Sequence, residues 1–94
     1  MAINVKLIGA LRHISGKKEL SIAYVEGISV KELVDKMGEQ VPQLKQTFCD
    51  QTLNSAQANS LVLVNGREIS ILNGYQTKLV EGDEVVFVPV VHGG

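Results

Sequence analysis

The segment from Glu84 to Val90 constrains the fold more than any other part of the chain, because it is almost wholly apolar. A strand that is apolar on both faces has to be buried on both faces, which is typical of a central parallel strand. Residues 2–9 alternate in hydrophobicity and predict another strand. If these first and last strands lie side by side, they form a parallel central pair.

Turn signals define two hairpins in the rest of the chain. Residues 20–27 alternate and predict a strand that forms a hairpin with the first one. Leu61 to Val64 is closed by Asn65-Gly66, the strongest short-range hairpin signal, and residues 67–71 return. Residues 51–60 are polar and predict a mobile surface loop.

One amphipathic helix is predicted between the hairpins. Ser29 and Glu32 have the spacing of a capping box. Gly38 is the predicted stop, and Pro42 opens a short second helical turn. Apolar residues recur at helical spacing between the cap and the stop: Val30, Leu33, Val34 and Met37.

This order of elements predicts an α+β fold of the β-grasp type, with a mixed sheet of about four to five strands and one main helix across one face. Ninety-four residues are too few for two cores. We therefore expect a single domain over residues 1–94, with a mobile tail at residues 91–94. The predicted core consists of Ile3, Val5, Leu7, Leu20, Ile22, Leu33, Val34, Met37, Leu44, Phe48, Leu63, Leu79, Val85 and Phe87.

The composition excludes several classes of function. Nine Lys and Arg against ten Asp and Glu leave a formal charge of -1, so nucleic acid is not an expected partner. A single cysteine, Cys49, cannot form an internal disulfide framework or a cysteine-caged metal site, and no metal is expected. No apolar run approaches the ~20 residues of a membrane span, so we expect a cytoplasmic protein without a membrane partner.

The usual catalytic constellations are missing from the sequence. His13 and His92 are its two histidines, and no phosphate-binding glycine loop or acid and base carboxylate pair is present. We interpret His13 as a solvated loop residue and Cys49 as a small, partly buried hydrophobe. The chain is therefore not expected to be an enzyme by itself.

The candidate reactive group is the C-terminus. Gly93-Gly94 has no side chains, so it can place its α-carboxylate in a narrow channel of another protein. In this hypothesis the chemistry is done to the protein rather than by it. The alternative is that the two glycines are an inert end.

One motif combines a turn, a strand and the C-terminus at fixed spacing: Gly82-Asp83-Glu84-Val85, then Phe87 and Pro89, with Gly93-Gly94 beginning four residues after the proline. Further motif positions are Leu11-Arg12, Gly16, Val30-Lys31-Glu32-Leu33, Asn65-Gly66 and Leu79. Together they resemble the small subunit of molybdopterin synthase and the related thiamine sulfur carriers, which are similar to ubiquitin in fold.

The resemblance implies a sulfur carrier. A ubiquitin-activating-like enzyme would adenylate the Gly94 carboxylate with ATP, and a sulfur source would convert it to a thiocarboxylate. Val91, His92 and Gly93 would thread into the partner with it. The carrier would hold no permanent cofactor, because the partner enzyme uses the ATP.

A partner-docking face is also expected. Alternation places Ile8, Val86 and Val88 on the face away from the helix, and Pro89 follows them. A single helix cannot cover both faces, so the open one is available to partners. The acidic residues Glu81, Asp83 and Glu84 form either a polar rim that steers a basic partner or a solvated turn.

The destination of the sulfur stays open. The resemblance favours the large subunit of molybdopterin synthase, yet residues 89–92 read Pro-Val-Val-His instead of two prolines followed by Val-Thr or Val-Ala. Thiamine thiazole, cysteine and tRNA thiolation are alternative pathways for a carrier with such a tail. A β-grasp interaction module without covalent chemistry is the alternative of a different class.

Overall fold

The computed structural model describes residues 2–45 and 60–89. It contains a five-stranded sheet in the order β2-β1-β5-β3-β4, which is the predicted β-grasp arrangement. Within the described residues, no helix has the length and apolar character that a membrane crossing requires. The elements are β1 (Ala2–Leu7), α1 (Ala10–Ser15), β2 (Glu19–Ala23), α2 (Val30–Gln40), β3 (Ser60–Val64), β4 (Arg67–Glu68) and β5 (Glu84–Pro89).

The parallel central pair is confirmed. β1 and β5 run parallel, with Val5 opposite Val85 and Leu7 opposite Phe87. The antiparallel neighbour of β1 is β2, and that of β5 is β3. Because β5 has a strand on each side, its backbone is paired along both edges. The expected burial on both faces is wrong, because Val85 and Phe87 are buried whereas Val86 and Val88, on the other face, are only half-buried.

Helix α2 begins as predicted and ends later. The Ser29 hydroxyl accepts a hydrogen bond from the Glu32 N–H at 3.2 Å, and the Glu32 carboxylate accepts one from the Ser29 N–H at 3.2 Å. The predicted stop at Gly38 is wrong, because α2 continues to Gln40. Gly38 is instead a packing residue, since a Cβ there would lie 3.1 Å from Cβ of Lys45.

The segment between the first two strands contains a short helix that the sequence analysis missed. The first strand ends at Leu7 instead of residue 9, and α1 follows between Gly9 and Gly16, whose φ angles are 61° and 72°. Leu11 is the buried residue of α1. Six residues with one buried position are too short to show helical periodicity.

Two predicted strands are shorter than expected. β2 ends at Ala23 rather than residue 27, because Ala23 already pairs with Ala2, the first residue of β1. The return of the second hairpin is limited to Arg67–Glu68. The chain then forms a short 3₁₀ turn, in which the Glu68 carboxylate accepts a hydrogen bond from the Ser70 N–H at 2.8 Å.

Most of the predicted core is buried, and the main correction concerns β3. Val62 and Val64 point into the core, whereas Leu63 lies on the opposite face and is half-buried. Val34 is partly buried and packs against the core. Phe48 lies outside the described residues. Five further buried residues were not in the predicted core: Leu11, Ile28, Val30, Val41 and Ile69.

Candidate functional site

The chain leaves the described structure at one end of the sheet, next to α1. The Ile8 N–H donates a hydrogen bond to the Phe87 carbonyl at 3.2 Å. A Cβ on Gly9 would lie 3.3 Å from Cγ of Pro89, the last described residue of β5. Gly94 follows Pro89 by five residues in the sequence, and five residues span at most about 18 Å when fully extended.

The predicted tail residues lie outside the described part of the chain. Val91, His92, Gly93 and Gly94 therefore keep their roles as predictions. What the structure gives is the position from which they start. That position lies at the end of a central strand, which has neighbouring strands on both edges.

An apolar surface covers the same end of the sheet, on the face away from α2. It contains the four predicted docking residues and two leucines of β3, and we call it the docking face: Ile8, Leu61, Leu63, Val86, Val88 and Pro89. Val88 pairs with Leu61 and Val86 pairs with Leu63, so each pair shares this face. Ile8 is 45% exposed and Leu61 37% exposed.

The sequence analysis missed Leu61 and Leu63 as members of this face. β3 reads Ser-Leu-Val-Leu-Val, so apolar residues occupy both faces and no alternation shows which side is inward. The signal that finds them is the pairing register with β5. Once Val85 and Phe87 are buried, their partners Val64 and Val62 are inward and the leucines are outward.

Charged residues border the docking face. Lys6 pairs with Val86 in the sheet register, and its ammonium lies 3.1 Å from the Glu84 carboxylate. Glu68 pairs with Leu63 on the other side. The pKa of Glu68 lies below its usual value because the Ser70 hydroxyl and N–H donate hydrogen bonds to its carboxylate. An apolar centre with a charged border is typical of a protein-binding surface.

In the acidic turn before β5, Asp83 forms a structural clamp, whereas Glu81 is exposed and solvated. Asp83 is buried, and its carboxylate accepts hydrogen bonds from the Asn65 side chain at 2.9 Å and the Val80 N–H at 2.8 Å. The Asn65 side-chain oxygen in turn accepts from the Glu84 N–H at 3.0 Å. This turn lies at the start of β5, opposite the end from which the tail leaves.

The described residues contain no group of three or more His, Cys, Asp and Glu side chains that could hold a metal ion. His13 is exposed on α1, a helix rather than the predicted loop. Burial raises the pKa of Tyr75, a residue that packs against the core. Cys49 and His92 lie outside the described residues, so their interpretations stay predictions.

The fold defines a ubiquitin-like β-grasp protein, and its last described residue, Pro89, belongs to an apolar face. Comparison with known proteins then gives the family. The model of the ThiS family matches residues 5–94, so this chain belongs to the ThiS family of ubiquitin-like sulfur carriers.

Relatives of similar length support this assignment. The chain is 32% identical to Ubiquitin-related modifier 1 of Schizosaccharomyces pombe, and the match covers 100% of both chains. It is similar to the solution structure of small archaeal modifier protein 1 from Methanosarcina acetivorans, with a TM-score of 0.79, 28% identity and coverage of 99% of this chain and 96% of that one. The solution structure of Urm1 from Trypanosoma brucei has a TM-score of 0.77, 27% identity and coverage of 99% and 95%.

Proposed function

We propose that this protein carries sulfur as a C-terminal thiocarboxylate on Gly94. The observation that carries the proposal is the end of β5 in a ThiS-family chain, where the last residues start beside an open apolar face. A partner that binds this face is within reach of the Gly94 carboxylate. The docking role of Ile8, Val86, Val88 and Pro89 is part of the proposal.

The chemistry takes place in two steps on a partner enzyme that resembles ubiquitin-activating enzymes. The Gly94 carboxylate oxygen attacks the α-phosphorus of ATP, and pyrophosphate leaves. A sulfur nucleophile such as hydrosulfide then attacks the acyl carbon, and AMP leaves with the bonding electrons. The first step is needed because a free carboxylate is a poor acyl donor, whereas the anhydride has a good leaving group.

In this proposal the partner enzyme is the catalyst and the chain is its substrate. The partner binds ATP, orients the tail and supplies the acid and base groups. The carrier supplies a rigid docking face and a terminal residue without a side chain, which leaves its carbonyl open to attack.

The recipient of the sulfur is the finer part of the proposal. We propose transfer to the large subunit of molybdopterin synthase or to another sulfur-accepting enzyme, with thiamine thiazole, cysteine and tRNA thiolation as the other pathways. Two relatives are named as modifiers, which favours conjugation to other proteins as a second fate of the activated carboxyl. In that reaction an amine of the other protein attacks the activated carboxyl and forms an amide.

Mass spectrometry tests the reactive group directly. The full chain incubated with ATP, sulfide and the adenylating enzyme should gain about 16 Da, because one oxygen is replaced by sulfur. Deletion of Gly94, or addition of one residue after it, should abolish the gain and leave thermal unfolding unchanged, since a chain end contributes little stability. Loading of either variant would contradict the proposal.

Two further measurements separate the alternatives. Gly93→Ala should slow loading, because it adds a Cβ next to the reacting residue in a close-fitting channel. The loaded protein is then incubated separately with the molybdopterin synthase large subunit, with the tRNA thiolation enzymes and with lysine-containing protein. Loss of the added mass identifies a sulfur acceptor, whereas a covalent adduct identifies a modifier. A chain that never loads would be a non-covalent interaction module.

A further inference from the structure

Four exposed residues with basic side chains lie close together in sequence, and we call them the basic surface: Arg12, His13, Lys17 and Lys18. No Asp or Glu occurs from residue 8 to residue 18. At the end of α1 the Gly16 N–H donates to the Arg12 carbonyl at 2.9 Å, so the chain turns between His13 and Lys17.

The basic surface lies at the end of the sheet from which the tail starts. Leu7, the last residue of β1, donates its N–H to the Lys18 carbonyl at 2.9 Å. Helix α1 contacts β5, and Gly9 at the start of α1 packs against Pro89. A protein that takes up the tail and covers the docking face therefore also meets α1.

The four basic side chains have no ion pair or hydrogen bond with any residue in ranges 2–45 and 60–89. Lys6 and Lys31 differ from these four residues, because both form ion pairs. The Lys6 ammonium lies 3.1 Å from the Glu84 carboxylate, and the Lys31 ammonium lies 3.6 Å from the Asp35 carboxylate. Residues 2–45 and 60–89 thus place no carboxylate within ion-pair distance of the basic surface.

The opposite end of the sheet carries the opposite charge. Glu26 follows the end of β2, and Glu81 and Asp83 precede β5, where the Gly82 N–H donates to the Ala2 carbonyl at 3.1 Å. The two ends are about 20 Å apart along a six-residue strand. Lys78 also lies at this end, where its ammonium donates to the Gly27 carbonyl at 3.1 Å, and Glu19 directly follows the basic surface. The two ends therefore differ in their balance of charge, with the excess of basic side chains beside α1.

We propose that the basic surface docks on an acidic surface of the adenylating enzyme, next to the channel that receives the tail. The inference rests on the proposed function. Charged residues at the border of an interface, when opposite in sign to those of the partner, mainly raise the association rate and fix the orientation. The apolar centre of the interface supplies most of the affinity. In this complex the basic surface would orient the carrier so that the end of the sheet with the tail faces the channel.

A charge-reversal pair with a matched control tests the proposal. Arg12→Glu/Lys18→Glu changes the basic surface, and Lys31→Glu/Arg67→Glu makes the same change of four charge units at exposed residues on α2 and β4. Stopped-flow association with the adenylating enzyme is measured from low to high NaCl. We expect the first variant to associate at least ~10-fold more slowly at low salt and to lose most of the salt dependence, with dissociation altered less than ~3-fold. The control should stay within ~2-fold of the wild type.

Other results would overturn the proposal. Equal association rates for the two variants would show that net charge, and not this surface, matters. Salt-sensitive binding of a labelled RNA oligonucleotide that the first variant alone loses would assign the surface to nucleic acid. Salt-sensitive dimers in analytical ultracentrifugation would assign it to the acidic end of a second copy. The wild-type protein is assayed for the gain of about 16 Da in the same experiment, so a failure of the proposed function itself is distinguishable.

Discussion

Gly9 lies where β1, α1 and β5 meet, next to Pro89, the last described residue before the tail. Gly9 has φ 61° and ψ -129°, a combination that only glycine adopts without strain, and it packs on Pro89. The sequence shows glycines at positions 9 and 16, but it does not show that their conformations differ. Asn65-Gly66 could be predicted fully, because its turn type depends on these two residues and both have positive φ.

Gly9→Ala should lower the free energy of unfolding by about 1 to 3 kcal/mol, because it forces a Cβ into a glycine-only conformation beside Pro89. Gly16→Ala is the control, since Gly16 is in the ordinary left-handed region with open space around it and should cost only about 1 kcal/mol. Urea unfolding of the two variants measures the difference. Equal losses would show that contact with Pro89 and the unusual ψ angle do not matter.

The elements that could be predicted are those with a strong local pattern. Helix α2 has a capping box and a full apolar stripe, and β5 is apolar throughout. Helix α1 has neither, and it exists because Leu11 is buried beneath it. The inward side of β3 depends on its register with β5, a contact between distant parts of the chain that no local pattern contains.

Leu33→Ala tests the packing of α2 on the sheet. Leu33 is 0% exposed, so its truncation should lower the free energy of unfolding by about 2 to 5 kcal/mol through lost burial and a residual cavity. Lys31→Ala on the exposed side of the same helix removes an i,i+4 ion pair with Asp35 and should cost no more than about 0.5 kcal/mol. Equal shifts in a urea titration would mean that the inward face of α2 is assigned wrongly.

The two ends of the sheet differ, and the proposed function uses that difference. One end has the acidic clamp of Asp83 and Asn65, which holds the start of β5. The other has the docking face, the basic surface and the start of the tail. The sequence predicted the fold and the face away from α2, and Gly94 as the reactive residue stays a prediction. The sequence did not predict this grouping, because α1 and the β3 leucines were assigned only by the structure.

The docking face is tested by adding one negative charge to its centre. Val88 is half-buried and points away from α2, so Val88→Asp should change the circular dichroism spectrum little and lower the melting temperature by only a few degrees. Binding to the adenylating enzyme should weaken at least ~10-fold, about 1.4 kcal/mol, because a carboxylate must then be buried in the apolar centre. Ser21→Asp adds the same charge at an exposed position of β2 and should bind like the wild type.

The two possible failures of this experiment have different meanings. Val88 and Leu61 pair across β5 and β3, and both have side chains on the face that α2 does not cover. If Val88→Asp unfolds the protein, this face is covered by another part of the chain and is not a free surface. If binding is unchanged while the basic-surface variant still slows association, the partner approaches over α1 alone, and affinity comes from the tail rather than from apolar contact.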